Sequence, residues 1–251
     1  MNPYEAIYMR KSVREFQDKQ ITAEDKNDIL EYMNTLPPFI EGLSWQIQFV
    51  ENEKEFSGLW KVKAPAYLVF SCENQSGEAY CNAGYVLENL LLYMQTKEIG
   101  SCYQGALRWK KAPKGSMHVL MIVAVGYGEK EITRKLQDFN RKPIKRLIKA
   151  REEYSSDMLQ ILEAGRLAPS SMNGQPWSFV VYHNRIHIFV EEKGLIKQVA
   201  KQNNLLDIGI CICHMALAAE ELWIDARFSR LESLTEKKVR NYDYVTTMLI
   251  Q

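Results

Sequence analysis

Residues 167–181 read LAPSSMNGQPWSFVV, and the fold turns on this stretch. Pro169 disfavours the α region for the residue before it, so a helix is expected to end near Leu167. Ser170, Ser171, Asn173 and Gln175 then place four hydrogen-bonding side chains on a short turn that also contains Gly174. Trp177 to Val181 is aromatic and β-branched, the composition of a strand entering a core. A polar turn between a buried helix and a buried strand presents donors to a ligand from a rigid frame. An ordinary capped turn uses the same residue types, and only the rest of the chain separates the two readings.

Working outward, the same frame occurs twice. Ile29-Leu30-Glu31, Pro37, Gly42 and Trp45 recur as Ile161-Leu162-Glu163, Pro169, Gly174 and Trp177, every pair offset by 132 residues (161 − 29, 177 − 45). Further on, Ala83-Gly84 to Ile99-Gly100 matches Ile208-Gly209 to Ile224-Asp225 at an offset of 125 (209 − 84, 224 − 99). A period this long excludes a solenoid and points to duplication of one α+β unit, with a join near Lys149 to Asp157. The halves are expected at residues 1–149 and 150–251. Two unrelated helix–turn–strand units are the competing explanation.

The copies differ where chemistry is expected. Pro169-Ser170-Ser171-Met172-Asn173 of the second faces Pro37-Pro38-Phe39-Ile40-Glu41 of the first, so both serines and the asparagine are missing there. Conversely, the first copy opens with Arg10-Lys11-Ser12-Val13-Arg14-Glu15-Phe16, which has no clear counterpart at the start of the second. Three cations and a hydroxyl in five residues suit a dianionic phosphate, with bidentate forks from Arg, a point charge from Lys and a neutral donor from Ser. A solvated charged face is the plainer reading of such a run.

Taken together, APSSMNGQPW and RKSVREF resemble the nitroreductase family, which opens with R-R-S-x-R-x-F and binds flavin at a serine turn of this form. One Arg-to-Lys change separates RKSVREF from that pattern. The resemblance covers most of residues 1 to about 190. It implies an α+β, nitroreductase-like fold in two related halves. Relatives are homodimers whose FMN sites take the basic segment from one subunit and the serine turn from the other. This chain then resembles such a dimer fused into one polypeptide, with one site kept and one lost.

By that resemblance the FMN phosphate falls to Arg10, Lys11, Ser12 and Arg14, joined by Arg141 and Lys142 of an R-K-P segment. The loop Gln104, Gly105, Ala106 lays backbone N–H groups near flavin N5, and Pro169, Ser170, Ser171 and Asn173 approach the ring and ribityl chain. The implied reaction is ping-pong, from NADH or NADPH through FMN to a small-molecule acceptor such as a nitro compound or quinone. No side-chain acid, base or nucleophile is assigned, because the flavin carries the redox chemistry. The alternatives are an FMN store or sensor without turnover, and a fused relative performing dehalogenation or flavin cleavage.

Composition narrows the remaining classes. A chain of 251 residues with net charge +1 offers no field for nucleic acid or an anionic membrane, and no apolar run approaches a bilayer span. Cys72, Cys81, Cys102, Cys211 and Cys213 lack CxxC spacing and read as free thiols of a cytoplasmic protein. Four scattered histidines suggest no metal. A fused dimer is expected to stand as a monomer, with a homodimer of fused chains still open. Elsewhere, Tyr4–Tyr8, a Thr22-capped segment to about Met33, Tyr85–Tyr93 and Asp207–Trp223 read as helices. Ala66–Phe70, Val119–Val125, Arg185–Val190 and Tyr242–Ile250 read as strands, and Glu232–Lys238 as a charged tail. Gly100 to Ala106 is expected to be a glycine-bearing loop, with Gly100 serving equally well as a helix C-cap.

Overall fold

A computed structural model describes residues 1–112, 115, 117–191, 197–235 and 241–251. The Glu236–Lys238 part of the charged tail lies outside the described residues. The chain divides into two compact units, Met1–Asp138 and Phe139–Gln251. The division falls earlier than Lys149, and the reason is local. Residues 148–150 form a strand parallel to the one that follows the serine turn, and Arg141 and Lys142 bond the turn itself.

In the first unit α1 (Pro3–Ile7) is closed by a capping box between Asn2 and Glu5, and α2 (Ala23–Thr35) is capped by Thr22, whose hydroxyl accepts from Asp25 N–H. Strands β1 (Trp45–Val50), β2 (Phe56–Gly58) and β3 (Ala66–Cys72) follow, then α3 (Gly77–Thr96), β4 (Ile99–Tyr103), β5 (Leu107–Trp109) and β6 (His118–Tyr127). The main sheet has the order β1-β3-β6-β4, antiparallel throughout, and β2 pairs with β5 separately. Both faces of β3 are covered, which is why its sequence is a continuous apolar run and does not alternate.

The second unit holds α4 (Ile144–Leu147), β7 (Ile148–Ala150), α5 (Ser156–Leu167), β8 (Trp177–Tyr182) and β9 (Arg185–Glu191). After these come α6 (Lys197–Glu221), β10 (Ala226–Ser229), α7 (Glu232–Thr235) and β11 (Tyr242–Ile250). Its sheet runs β10-β11-β9-β8-β7, with α5 packed on α6.

The two units repeat one plan. Reading β8, β9, β11 and β10 for β1, β3, β6 and β4 gives the same strand order, with β7 added at one edge. Trp45 and Trp177 both open their strands, and α2 and α5 end at Thr35 and Leu167, again 132 apart (167 − 35). Helices α3 and α6 end 125 apart (221 − 96), and two residues beyond each end lies a left-handed residue, Glu98 at φ 59° and Trp223 at φ 57°. The fold is nitroreductase-like α+β, in two related halves. All five cysteines are free and buried, and burial pushes the Cys81 thiol up to about 12.

One expectation needs correcting. Residues 99–103 are strand β4 and not loop, so the loop shrinks to Gln104–Ala106. Gly100 does not cap α3, since the left-handed position falls on Glu98. A Cβ at Gly100 would instead sit 2.6 Å from Val13 Cγ2. Glycine is required there because the basic segment lies directly on β4.

Candidate functional site

That contact organises the first group of candidates. Val13 N–H donates to Ser101 O at 2.9 Å and Ser12 bridges Ser101 in parallel, so the segment touches β4 at residues 12–13, while Arg10 bridges Thr133. The side chains along the segment differ in burial. Arg10 and Val13 are buried, Lys11 and Ser12 are half-buried, and Arg14 is exposed.

Arg10 is only 3% exposed, and its Nε lies 3.7 Å from Oε1 of Glu88, a fully buried residue of α3. That distance is an ion pair but too long for a hydrogen bond. Nε and Nη2 of Arg10 are buried and, among the described residues, have no hydrogen-bond partner. Glu88 is also held by the Tyr103 hydroxyl, which donates to Oε2 at 2.8 Å. Arg134 joins the group through its backbone, its N–H donating to Met9 O at 2.8 Å. Burial, and secondarily the charge of Arg10, pushes the Arg134 guanidinium down to about 10. A buried guanidinium, Arg10, is thus paired with one buried carboxylate, with the half-buried Arg134 cation nearby. Unsatisfied charged donors cost more than about 1–3 kcal/mol each, so the two Arg10 donors could accommodate a further anion. A phosphate of FMN fits that deficit.

Gln104 to Ala106 continue from β4. Gln104 N–H donates to Ile122 O at 2.8 Å and its Oε1 accepts from Val62 N–H at 3.0 Å, so this residue is spent on the scaffold. Gly105 differs: a Cβ there would meet nothing within 4 Å, leaving open space beside the backbone. Of the three loop residues, Gly105 and Ala106 remain to approach a ring.

The serine turn belongs to the second unit. Helix α5 ends at Leu167 and β8 begins at Trp177, as the sequence indicates. Between them Met172, Asn173 and Gln175 have φ of 50°, 56° and 50°, while Gly174 is right-handed at φ −65°. The strain thus falls on residues with side chains and not on the glycine. Each left-handed non-glycine residue costs roughly 1–2 kcal/mol, and braces hold the turn against that cost. Arg141 donates to Asn173 Oδ1 at 2.9 Å and to Leu167 O at 3.1 Å, and Lys142 Nζ donates to Gly174 O and Gln175 O, both at 2.9 Å. Ser170 Oγ accepts from Gln175 N–H at 2.9 Å. Ser171 N–H donates to both oxygens of Asp207, at 3.1 and 3.0 Å.

The structure therefore sorts the sequence candidates by unit. Arg10, Lys11, Ser12 and Arg14 belong to a segment that meets β4 at Ser12 and bridges Thr133 at Arg10, and Gln104–Ala106 continue from β4. Arg141 and Lys142, expected at the phosphate, bond the turn that carries Pro169, Ser170, Ser171 and Asn173. Sequence reading missed Glu88, Arg134 and Asp207. An acid inside the apolar Tyr85–Tyr93 helix pattern could have flagged Glu88, and the 125-residue repeat, which pairs Asn82 with Asp207 (207 − 82), could have flagged the third. Nothing in the sequence marks Arg134.

The architecture is thus a duplicated α+β chain with a basic segment docked on the sheet of one unit and a braced serine turn in the other. A family model described as "Putative TM nitroreductase" matches residues 2–219, and the chain belongs to that family. Among solved structures it is similar to a "putative nitroreductase" from Thermotoga maritima, at 21% identity and TM-score 0.68, covering 100% of this chain and 93% of that one. An FMN-dependent nitroreductase from Clostridium difficile matches at 18% identity and TM-score 0.45, over 54% of this chain and 93% of that chain. A nitroreductase with bound FMN from Desulfitobacterium hafniense matches at 15% identity and TM-score 0.45, over 57% and 98%. No curated protein matches the sequence. Among the described residues no helix is long and apolar enough to cross a membrane.

Proposed function

We propose that the chain is an FMN-dependent oxidoreductase of nitroreductase type, using NADH or NADPH as donor and a small-molecule acceptor, and that it works in the cytoplasm. The observation that carries this reading is Arg10, buried to 3% beside Glu88, with Nε and Nη2 lacking a hydrogen-bond partner among the described residues. A buried guanidinium in that state calls for an anion, and the phosphate of FMN, the flavin named for two nitroreductases similar to this chain, would supply one.

The roles of the chain's own residues follow. Arg10, Ser12 and the exposed Arg14 bind the phosphate, with Lys11 adding charge at the rim. Gly105 and Ala106 offer backbone beside an open space, which lets a planar ring approach without a side chain in the way. The turn Pro169–Asn173 orients the ring and ribityl chain, Ser171 through a hydroxyl left exposed once its N–H is taken by Asp207. Arg141 and Lys142 act through that turn, holding its carbonyls and Asn173 in place. FMN, when bound, supplies hydride exchange at N5 between the nicotinamide and the acceptor. The protein's share is orientation and donors for the charge gained on reduction.

The test is the visible spectrum of protein reconstituted with FMN, before and after anaerobic NADH or NADPH. Flavin bands that bleach on addition and return with a quinone support an oxidoreductase. Protein that retains no flavin after desalting contradicts the cofactor, and retained flavin that never bleaches favours storage or sensing.

A further inference from the structure

The duplication places two buried side chains at equivalent points and gives them different chemistry. In the first unit Asn82 of α3 is fully buried, and its Oδ1 accepts from Phe39 N–H at 2.8 Å and Ile40 N–H at 3.2 Å. In the second unit Asp207 of α6 is 3% exposed and accepts from Ser171 N–H on both oxygens. Phe39 and Ser171 are 132 apart (171 − 39), and Asn82 and Asp207 are 125 apart (207 − 82), the two offsets of the repeat. One hydrogen bond has been kept through the duplication, from turn to central helix.

What the bond holds has changed. Asn82 grips two successive N–H groups. Asp207 grips one, and the next residue, Met172, swings to φ 50° with its side chain fully exposed. Asn173 and Gln175 are left-handed as well. Among the described residues Ser171 is the hydrogen-bond partner of Asp207, and burial pushes its carboxyl well above the ordinary carboxylate range. A carboxyl is an expensive choice where the sister unit manages with an amide. Expense of this kind, next to stored backbone strain, marks a place where shape serves a ligand.

We propose that Asp207 is a positioning residue for the flavin: through Ser171 it fixes the strained turn in its binding shape, while Asn82, its counterpart, holds a turn that binds nothing. This rests on the FMN reading above.

FMN affinity, from quenching of flavin fluorescence, tests it on the parent chain and on Asp207→Ala, Asp207→Ser, Asp207→Asn and Asn82→Ala, with a melting temperature for each. Asp207→Ala and Asp207→Ser are expected to weaken FMN about tenfold or more, the scale of one lost hydrogen bond to a charged or partly charged group. Asp207→Asn, which keeps an acceptor at the same place, should stay within about threefold of the parent. Asn82→Ala should lower the melting temperature as Asp207→Ala does, yet leave FMN affinity unchanged, which a purely structural role for both residues does not predict. Parent-like affinity in Asp207→Ala overturns the inference, and so does an equal loss in Asn82→Ala. Failure of both Asp207→Ala and Asp207→Ser to fold, with Asn82→Ala folded, overturns it in favour of core support. A parent chain that takes up no FMN contradicts the functional reading itself.

Discussion

The turns at residues 37–45 and 169–177 hang from the same frame and do opposite things. Each leaves a helix, donates an N–H to a buried side chain on the unit's long helix, and enters a strand at a tryptophan. In the first, Phe39 packs its ring 5.4 Å from Tyr85, and Pro38 brings no N–H. In the second, Ser171, Met172 and Asn173 stand exposed, the last two on a left-handed backbone. The lesson is that the fold fixes where the turn lies, while its residues and braces decide whether it can serve a ligand. The division extends to the basic segment, docked on β4 of the first unit and without a sequence counterpart in the second.

The largest effect is expected where the first unit has a feature the second lacks. Arg10→Met removes the ion-pair partner of the fully buried Glu88, and the loss of stability should reach about 3 kcal/mol or more. Urea denaturation of the protein without added flavin measures it. A loss under about 1 kcal/mol would show that Glu88 is carried by Tyr103 and its other neighbours.

Next in size is Arg14→Ala. This exposed cation should contribute about 1.5–3 kcal/mol to FMN binding, the range for a charge-assisted hydrogen bond to phosphate. Riboflavin, lacking the phosphate, should lose far less. Equal losses for FMN and riboflavin would place Arg14 away from the phosphate and weaken the contrast between the two units.

A smaller, pH-dependent effect distinguishes Asp207 from Asn82. Burial raises the Asp207 carboxyl in the folded chain above the ordinary value of about 3.9. Between those two values the folded chain holds a proton that the unfolded chain has released, so this residue's contribution falls as pH rises through the window and levels off above the folded pKa. Asp207→Asn lacks that slope. Melting temperatures of parent and variant across acidic to neutral pH should therefore diverge, with the parent relatively more stable at the acid end. Parallel curves would mean that the carboxyl titrates normally.

Much of this was legible in the sequence because local rules dominate it. Pro169 stops a helix, Trp177 opens a strand, Thr22 caps α2, and the terminal strand runs from Tyr242 to Ile250 as its pattern indicates. The repeat was legible too, since six identities at one spacing survive where packing demands them. What failed to show were tertiary facts. Gly100 looks like a loop glycine until Val13 is seen to press against it. The bonds from Arg141 and Lys142 to Asn173, Gly174 and Gln175 span some thirty residues and have no local signature. Arg10 and Arg134 meet across more than a hundred residues of sequence, and no periodicity encodes such a meeting.

The central claim is that one of the two turns is built to serve a flavin and the other is not. Serving a second flavin with the first turn would mean using Pro38, Phe39 and Glu41 where the other turn has Ser170, Ser171 and Asn173, at about 1–3 kcal/mol for each buried group left unpaired. Flavin released by denaturing the reconstituted, desalted protein and quantified against chain concentration measures the ratio directly. The account predicts one FMN per chain; a ratio near two would contradict it.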